Sequence, residues 1–161
     1  MGAAEFKKII LARLHVLLNP YGFRKSGSTF SLGSNDVVLF VQLQSSSKTT
    51  SATLVATVNL GIFSRTVASK VGNTRKPNIL DAQWRERVGF LLEEPTDKWW
   101  EINSERQAIE AAEELSEILG KSALPKFQTL FSSESLKQLW ETGEAPGLTE
   151  FERQQFLKVM N

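Results

Sequence analysis

The chain has 161 residues, of which 41% are apolar and 23% charged, a balance typical of a folded globular protein. It contains no cysteine, which excludes disulfides, thiolate metal sites and cysteine nucleophiles. No apolar run approaches the roughly 20 residues that a membrane-spanning helix needs, and the N-terminus lacks the pattern of a secretory signal. These features predict one domain over residues 1–161, located in the cytoplasm and without membrane contact.

The net charge of +1 conceals an uneven distribution. Residues 1–80 contain ten Lys and Arg against two acids, whereas residues 81–161 contain nine Lys and Arg against sixteen acids. Such asymmetry is one feature of a nucleic-acid-binding surface. We favour the interpretation that the two halves pack together and their charges largely cancel, because no run of five or six like charges occurs.

The N-terminal part of the chain predicts one helix followed by three strands. Residues 5–18 place apolar side chains at helical spacing, and Asn19-Pro20 ends this helix because the residue before proline avoids the α region. The strands that follow are the short run STFSL (28–32) and the two long runs DVVLFVQLQ (36–44) and TLVATVNLGI (53–62), which form a hairpin.

Alternation along this hairpin predicts one apolar face and one mixed face. Odd positions from Val37 to Leu43 and even positions from Leu54 to Ile62 would point into the core, and a symmetric hairpin would pair Leu43 with Leu54. The mixed face is predicted to be solvated, or else to form the floor of a groove. It carries Val38, Phe40, Gln42, Gln44, Val55, Thr57 and Asn59.

The remainder of the chain predicts a long loop, two more strands and several helices. The loop, residues 63–80, is the best candidate to meet an anion, because it is basic and unusually long, but we favour the ordinary interpretation of a solubilising mobile loop. Residues 87–93 and 98–102 are predicted as a fourth and a fifth strand, and Gly120 as the end of a helix. The predicted fold class is α+β, with a four- to five-stranded antiparallel meander packed against an N-terminal helix and C-terminal helices.

Several short motifs occur in order over about residues 6–131. They are Asn19-Pro20-Tyr21-Gly22-Phe23, Arg24-Lys25, Phe30, Val41-Gln42-Leu43-Gln44-Ser45-Ser46, Val58-Asn59-Leu60-Gly61-Ile62, Arg87-Val88-Gly89 and Asp97-Lys98-Trp99-Trp100. Together these motifs resemble the DUF4304 family, a group of small, mostly bacterial proteins of unknown function. The resemblance implies an α+β domain with an antiparallel sheet, and it implies no particular activity or cofactor. Where the family usually has a basic residue after the strand glutamine, this chain has Ser45.

Few catalytic or metal-binding arrangements fit these residues. His15 is the only histidine and lies opposite the apolar stripe of its helix, so it supplies neither a metal site nor a Ser-His-Asp triad. No phosphate-loop motif is present. We therefore expect no catalytic residue, no metal and no cofactor, and we favour a protein that is not an enzyme.

The leading hypothesis is a recognition module that binds a protein or a small anionic ligand on the mixed face and the 63–80 loop. Its site would comprise Gln44, Asn59 and Arg87, with Arg24 and Trp99 at the edge. Amides offer paired donors and acceptors, and arginine presents a fixed fork for a carboxylate or phosphate. The competing explanation is that the two amides only satisfy exposed backbone at strand ends. An immunity- or antitoxin-like role would be one concrete version.

Two alternatives stay open: a small enzyme with a Gln/Asn/Arg pocket, and a nucleic-acid binder that uses the basic N-terminal half. A deep, closed pocket around Asn59 and Arg87 would favour the enzyme, whereas an open surface with an exposed tryptophan would favour the binding module. Nucleic acid is the less favoured partner, because the acidic helices would have to lie well away from its path.

Overall fold

The structure, a computed structural model, describes residues 1–161 and has an α+β architecture. No helix combines the length and the apolar character needed to cross a bilayer. The strands are β1 (Arg24–Ser26), β2 (Thr29–Gly33), β3 (Val37–Ser45), β4 (Leu54–Ser64), β5 (Trp84–Arg87) and β6 (Trp100–Ile102). The helices are α1 (Ala3–Leu18), α2 (Arg65–Lys70), α3 (Glu105–Ile118), α4 (Leu124–Thr129), α5 (Ser133–Glu141) and α6 (Glu150–Met160), with 3-10 turns at Asn19–Tyr21, Ile79–Asp81 and Val88–Leu91.

All strand pairs are antiparallel, and β1 to β5 follow one another across the sheet as a meander. β4 is the central strand, because β3 pairs with one of its edges along nine residues while β5 and β6 share the other edge. The predicted α+β class with an antiparallel meander is therefore confirmed. β6 does not pair with β5. It pairs with β4, along the edge of β4 that β5 also uses.

The predicted pairing of the long hairpin is wrong by four residues. Leu43 lies opposite Val58 rather than Leu54, since the connection after β3 is longer than a symmetric turn. Thr49 stabilises this longer connection: its hydroxyl accepts a hydrogen bond from the backbone N of Val55 at 3.0 Å and donates one to the Val55 carbonyl at 3.1 Å. Because the displacement is an even number of residues, every side chain stays on its predicted face.

The apolar face of the sheet forms the main core, a cluster of 35 buried residues to which all six helices contribute. Alternate residues of β4 from Leu54 to Ile62 are each no more than 1% exposed. Burying one such aliphatic side chain stabilises a fold by about 1.5–3 kcal/mol. The N-terminal helix and the C-terminal helices are thus held to the sheet by one continuous apolar contact.

The mixed face is covered over the half nearest the β2–β3 turn. Residues 65–82, the covering segment, fold across it, and Gly61 permits their close approach, because a Cβ there would lie 2.9 Å from Cγ1 of Ile79. The predicted loop is therefore partly regular, since α2 begins directly after β4. The buried residues of this second cluster are Val38, Phe40, Phe63, Ala68, Ile79 and Ala82.

Three predicted boundaries after residue 80 are wrong. β5 ends at Arg87 rather than beginning there, because the chain turns at Val88–Leu91, where the Gly89 carbonyl accepts a hydrogen bond from the Thr96 backbone N at 3.1 Å. The following strand is also shorter than predicted and begins at Trp100. Gly120 does not end a helix, since a π-helical turn over Leu119–Ala123 connects α3 directly to α4.

Asp36 joins the β2–β3 turn to two helices. Its carboxylate accepts hydrogen bonds from the backbone N of Ser133 at 2.7 Å, from the Ser133 hydroxyl, and from the Thr66 hydroxyl at 3.1 Å. The Ser133 hydroxyl also lies 2.6 Å from that of Ser64, the N-cap of α2. Burial alone would raise the pKa of Asp36, but these hydrogen bonds outweigh it and lower the pKa below its ordinary value.

Replacing Asp36 with asparagine is expected to lower the free energy of unfolding by about 2 kcal/mol, because three donors then meet a neutral amide with a single acceptor oxygen. Equilibrium urea unfolding measures this loss. The control is Glu141→Gln, which neutralises an exposed glutamate of α5 and should leave stability unchanged. A loss no larger than that of the control would show that the Asp36 contacts contribute nothing net.

The stabilisation by Asp36 is also expected to depend on pH. A carboxylate whose pKa is lowered in the folded chain stabilises the fold above its ordinary pKa of 3.8, and this contribution disappears as the pH falls through the folded value. The difference in unfolding free energy between wild type and Asp36→Asn should be constant above about pH 5 and shrink in acid. A difference that grows on acidification would have the wrong sign.

Candidate functional site

An open cleft of about 460 Å³ lies on the uncovered half of the mixed face, where β3, β4 and β5 run side by side. Its walls include Leu80 of the covering segment, Phe90 of the turn after β5, and Gly147 of the α5–α6 connection. Its floor is polar, and we call it the amide–arginine cleft. The floor residues are Gln42, Gln44, Asn59 and Arg87.

The pairing of the strands brings these floor residues together. Gln42 lies opposite Asn59 on β4, and Asn59 lies opposite Arg87 on β5. Because neighbouring strands are about 4.8 Å apart, the three side chains form a row about 10 Å long across the mixed face. Gln44 follows two residues after Gln42 and points the same way. The structure thus brings together three predicted site residues, Gln44, Asn59 and Arg87.

The three amides of the floor bond mainly to one another. Asn59 Nδ2 donates to Gln44 Oε1 at 2.7 Å and, more weakly, to Gln42 Oε1 at 3.4 Å, and Gln42 Nε2 donates to the Thr29 hydroxyl at 3.2 Å. They do not satisfy backbone groups at strand ends, as the competing explanation required. The Gln44 Nε2 group makes no hydrogen bond within the chain and is left as a donor at the cleft.

Arg87 is held in place by two neighbours. Its Nη1 donates to Asp97 Oδ2 at 2.7 Å, and its guanidinium carbon lies 5.1 Å from the centre of the Trp99 ring. Trp99 is half-buried and does not line the cleft, so its contribution is to orient Arg87 by a cation–π contact. The Nε and Nη2 atoms of Arg87 make no hydrogen bond within the chain and stay available to a ligand.

Arg85 is a lining residue that the sequence prediction missed. Its Nη1 donates to the Leu80 carbonyl at 3.0 Å and its Nη2 to the Gly147 carbonyl at 2.7 Å, while its buried Nε has no partner. No carboxylate forms an ion pair with it. The available signal was its position two residues before Arg87, but the predicted strand began only at residue 87.

Arg24 does not belong to this cleft. It lies on β1, opposite Ser31, at the far side of the sheet from β5, and it lines a different groove. Four strand spacings separate β1 from β5, which is about 20 Å. The predicted constellation is therefore divided: three residues line one cleft, Trp99 supports one of them, and Arg24 is apart. That these residues bind a ligand stays a prediction.

The chemistry of the lining favours binding over covalent catalysis. The cleft presents amides and guanidinium groups but no hydroxyl, thiol, amine or imidazole. Glu86 is the one carboxylate of the lining; burial raises its pKa, which Lys126 partly opposes, and alternation directs its side chain to the opposite face of β5 from Arg85 and Arg87. No group of three or more His, Asp or Glu residues is arranged to hold a metal ion.

Gly147 lets the α5–α6 connection close one wall of the cleft. Its φ is +80°, and a Cβ there would lie 2.6 Å from Cβ of Arg85, whereas Gly143, with φ +94°, has nothing within 4 Å of such an atom. Gly143→Ala should therefore lower the free energy of unfolding only by the backbone penalty for a positive φ, about 1–2 kcal/mol. Gly147→Ala should cost clearly more, as measured by urea unfolding. Equal losses would mean that the connection is not packed against β5.

Comparison with known proteins assigns a family to this chain. The family model described as a domain of unknown function, DUF4304, matches residues 14–129, well over half of the sequence. All six strands and the whole floor of the amide–arginine cleft fall within the matched range, whereas α5, α6 and Gly147 lie beyond it. No curated protein and no solved structure shows a match. The chain belongs to the DUF4304 family.

Proposed function

We propose that this DUF4304 protein is a non-catalytic recognition module whose amide–arginine cleft binds an anionic group of a partner protein or a small ligand. The observation that carries the proposal is the row of Gln42, Asn59 and Arg87 on the floor of one open cleft. These polar groups come from three strands and are held by a buried core, so their geometry is fixed before a ligand arrives.

The free hydrogen-bonding groups of the cleft match an anion. Arg87 offers Nε and Nη2, the two nitrogens that form a bidentate pair with a carboxylate or phosphate, and Gln44 Nε2 adds a third donor. The charge of Arg87 is partly balanced by Asp97, but that of Arg85 is balanced by carbonyl groups alone. Arg85 and Arg87 thus face the cleft with Asp97 as their one carboxylate partner, since the Glu86 side chain points to the opposite face of β5. This surplus of positive charge on the cleft side favours an anionic ligand.

An immunity- or antitoxin-like function in a bacterial cytoplasm is one concrete form of this proposal. The open cleft would then receive an acidic side chain or the C-terminal carboxylate of the partner. The enzyme alternative is less well supported, because the lining has no nucleophile and the pocket around Asn59 and Arg87 is open rather than closed.

An NMR titration of the isotope-labelled protein with acetate, succinate and inorganic phosphate tests the site. Saturable shifts are expected for the side-chain amides of Gln44 and Asn59 and for Arg87 Nε. Arg87→Ala should weaken binding at least about tenfold, because a charge-assisted hydrogen bond contributes about 1.5–3 kcal/mol. The matched control is Arg24→Ala, which also removes one arginine from the mixed face and should leave these affinities unchanged.

Two results of this titration would contradict the proposal. If none of the three anions shifts these resonances, or if the Arg24 variant loses as much affinity as the Arg87 variant, the cleft is not an anion site. Affinity purification from native cells with wild type and an Asn59→Ala/Arg87→Ala variant extends the test to proteins. A partner retained equally by both forms would use another surface.

A further inference from the structure

A second concave surface, the basic groove, crosses the mixed face on the side of β1. Its larger part has a volume of about 720 Å³ and is lined by three cationic side chains: Arg24 from β1, Arg65 from the start of α2, and Lys76 from the covering segment. A smaller depression of about 290 Å³ shares Arg65 and Pro77 with it and adds Arg75. The two depressions meet at Arg65 and Pro77, and each has cationic side chains in its lining.

Most of the cationic side chains in this groove form no ion pair within the chain. No Asp or Glu lines either part. Arg24, Arg65 and Lys76 take part in none of the seven ion pairs of the chain, and only Arg75 is paired, with Asp81. Three uncompensated cations on one concave surface raise the local concentration of an anionic ligand.

Arg65 is also fixed in position. Its Nε donates to the Ser34 carbonyl at 3.0 Å, and its guanidinium lies against Gly33, where an added Cβ would be 3.3 Å from Nη2. Both terminal nitrogens make no hydrogen bond within the chain. The two Nη groups of Arg65 therefore present hydrogen-bond donors to the groove, and binding a ligand would cost little further side-chain entropy.

The most acidic helix lies on the opposite side of the sheet. α3 packs on the apolar face and carries Glu105, Glu110, Glu113, Glu114 and Glu117. A helix is about 10 Å across, so its outer glutamates are separated from the groove by at least the screening length of about 10 Å at 0.1 M salt. For α3 this meets the condition stated for a nucleic-acid partner, that acidic helices lie away from its path. α5 and α6, each with two glutamates, pack against α2 and are nearer to the groove.

We propose that the basic groove binds the phosphate backbone of a single-stranded nucleic acid. Arg24 lies beside Ser31, and the guanidinium of Arg65 lies against Gly33, two residues or about 7 Å further along β2. One phosphate would need cations that converge on a point, whereas cations spread along a track match successive phosphates. The part of the groove formed by strands spans β1 to β3, about 10 Å across, which favours a single strand over the wider duplex.

Fluorescence anisotropy with labelled oligothymidine and oligouridine tests this proposal. Contacts to three phosphates predict an affinity that falls about 20-fold between about 50 and about 200 mM salt. Arg24→Glu/Lys76→Glu should bind at least about tenfold more weakly and show a shallower salt dependence. The matched control is Lys7→Glu/Lys8→Glu, which makes the same change of charge on α1, on the other side of the sheet, and should bind like the wild type.

The proposal would be overturned by no anisotropy change for wild type at low salt, by equal losses in the two double variants, or by equal competition from polyglutamate and an unlabelled single strand. A duplex of the same length should compete poorly, and equal competition by the duplex would exclude the assignment to single strands. Thermal unfolding followed by circular dichroism checks that each variant is folded, so that a loss of affinity reports on the groove.

Discussion

The alternation of side chains along β4 is the constraint on which the rest of the structure depends. Its even positions from Leu54 to Ile62 are withdrawn from water, so a slip by one residue would expose the whole set and is energetically prohibited. The odd positions are thereby fixed on the other face, where they take different roles. Asn59 enters the floor of the cleft, Gly61 allows the covering segment to approach, and Phe63 anchors that segment in the second cluster.

The structural features that could be predicted from the sequence are those that depend on local periodicity. The α+β class, the two faces of the long hairpin and the shared orientation of Gln44 and Asn59 all follow from strand alternation, and they survive a wrong register because the displacement is even. β5 was misplaced because WRER has no apolar alternation and is a strand only through its pairing with β4. Arg24 was expected at the edge of the same site but lies four strands from Arg87, because alternation gives the face of a side chain and not the order of strands in the sheet.

Contacts between distant parts of the chain could not be predicted at all. Asp36 and Ser133 are 97 residues apart, yet their hydrogen bonds join the β2–β3 turn to a helix outside the matched family region. A similar contact attaches β6 to α3, where Glu114 accepts hydrogen bonds from Lys98 and from Trp100 Nε1. Burial would raise the pKa of Glu114, but these hydrogen bonds and the charge of Lys98 lower it. Such partners are specified by the tertiary fold, not by spacing in the sequence.

The covering segment belongs to both concave surfaces. Its Ile79 and Leu80 line the amide–arginine cleft, while its Lys76 and Pro77 line the basic groove. A molecule that shifts this segment while it binds to the amide–arginine cleft also alters the wall of the basic groove, and the reverse holds as well. Thermodynamic linkage then requires the effect to be mutual: whatever factor the first occupant applies to the affinity of the second, the second applies to the first. If both surfaces bind as proposed, this shared segment is where each occupant would act on the affinity of the other.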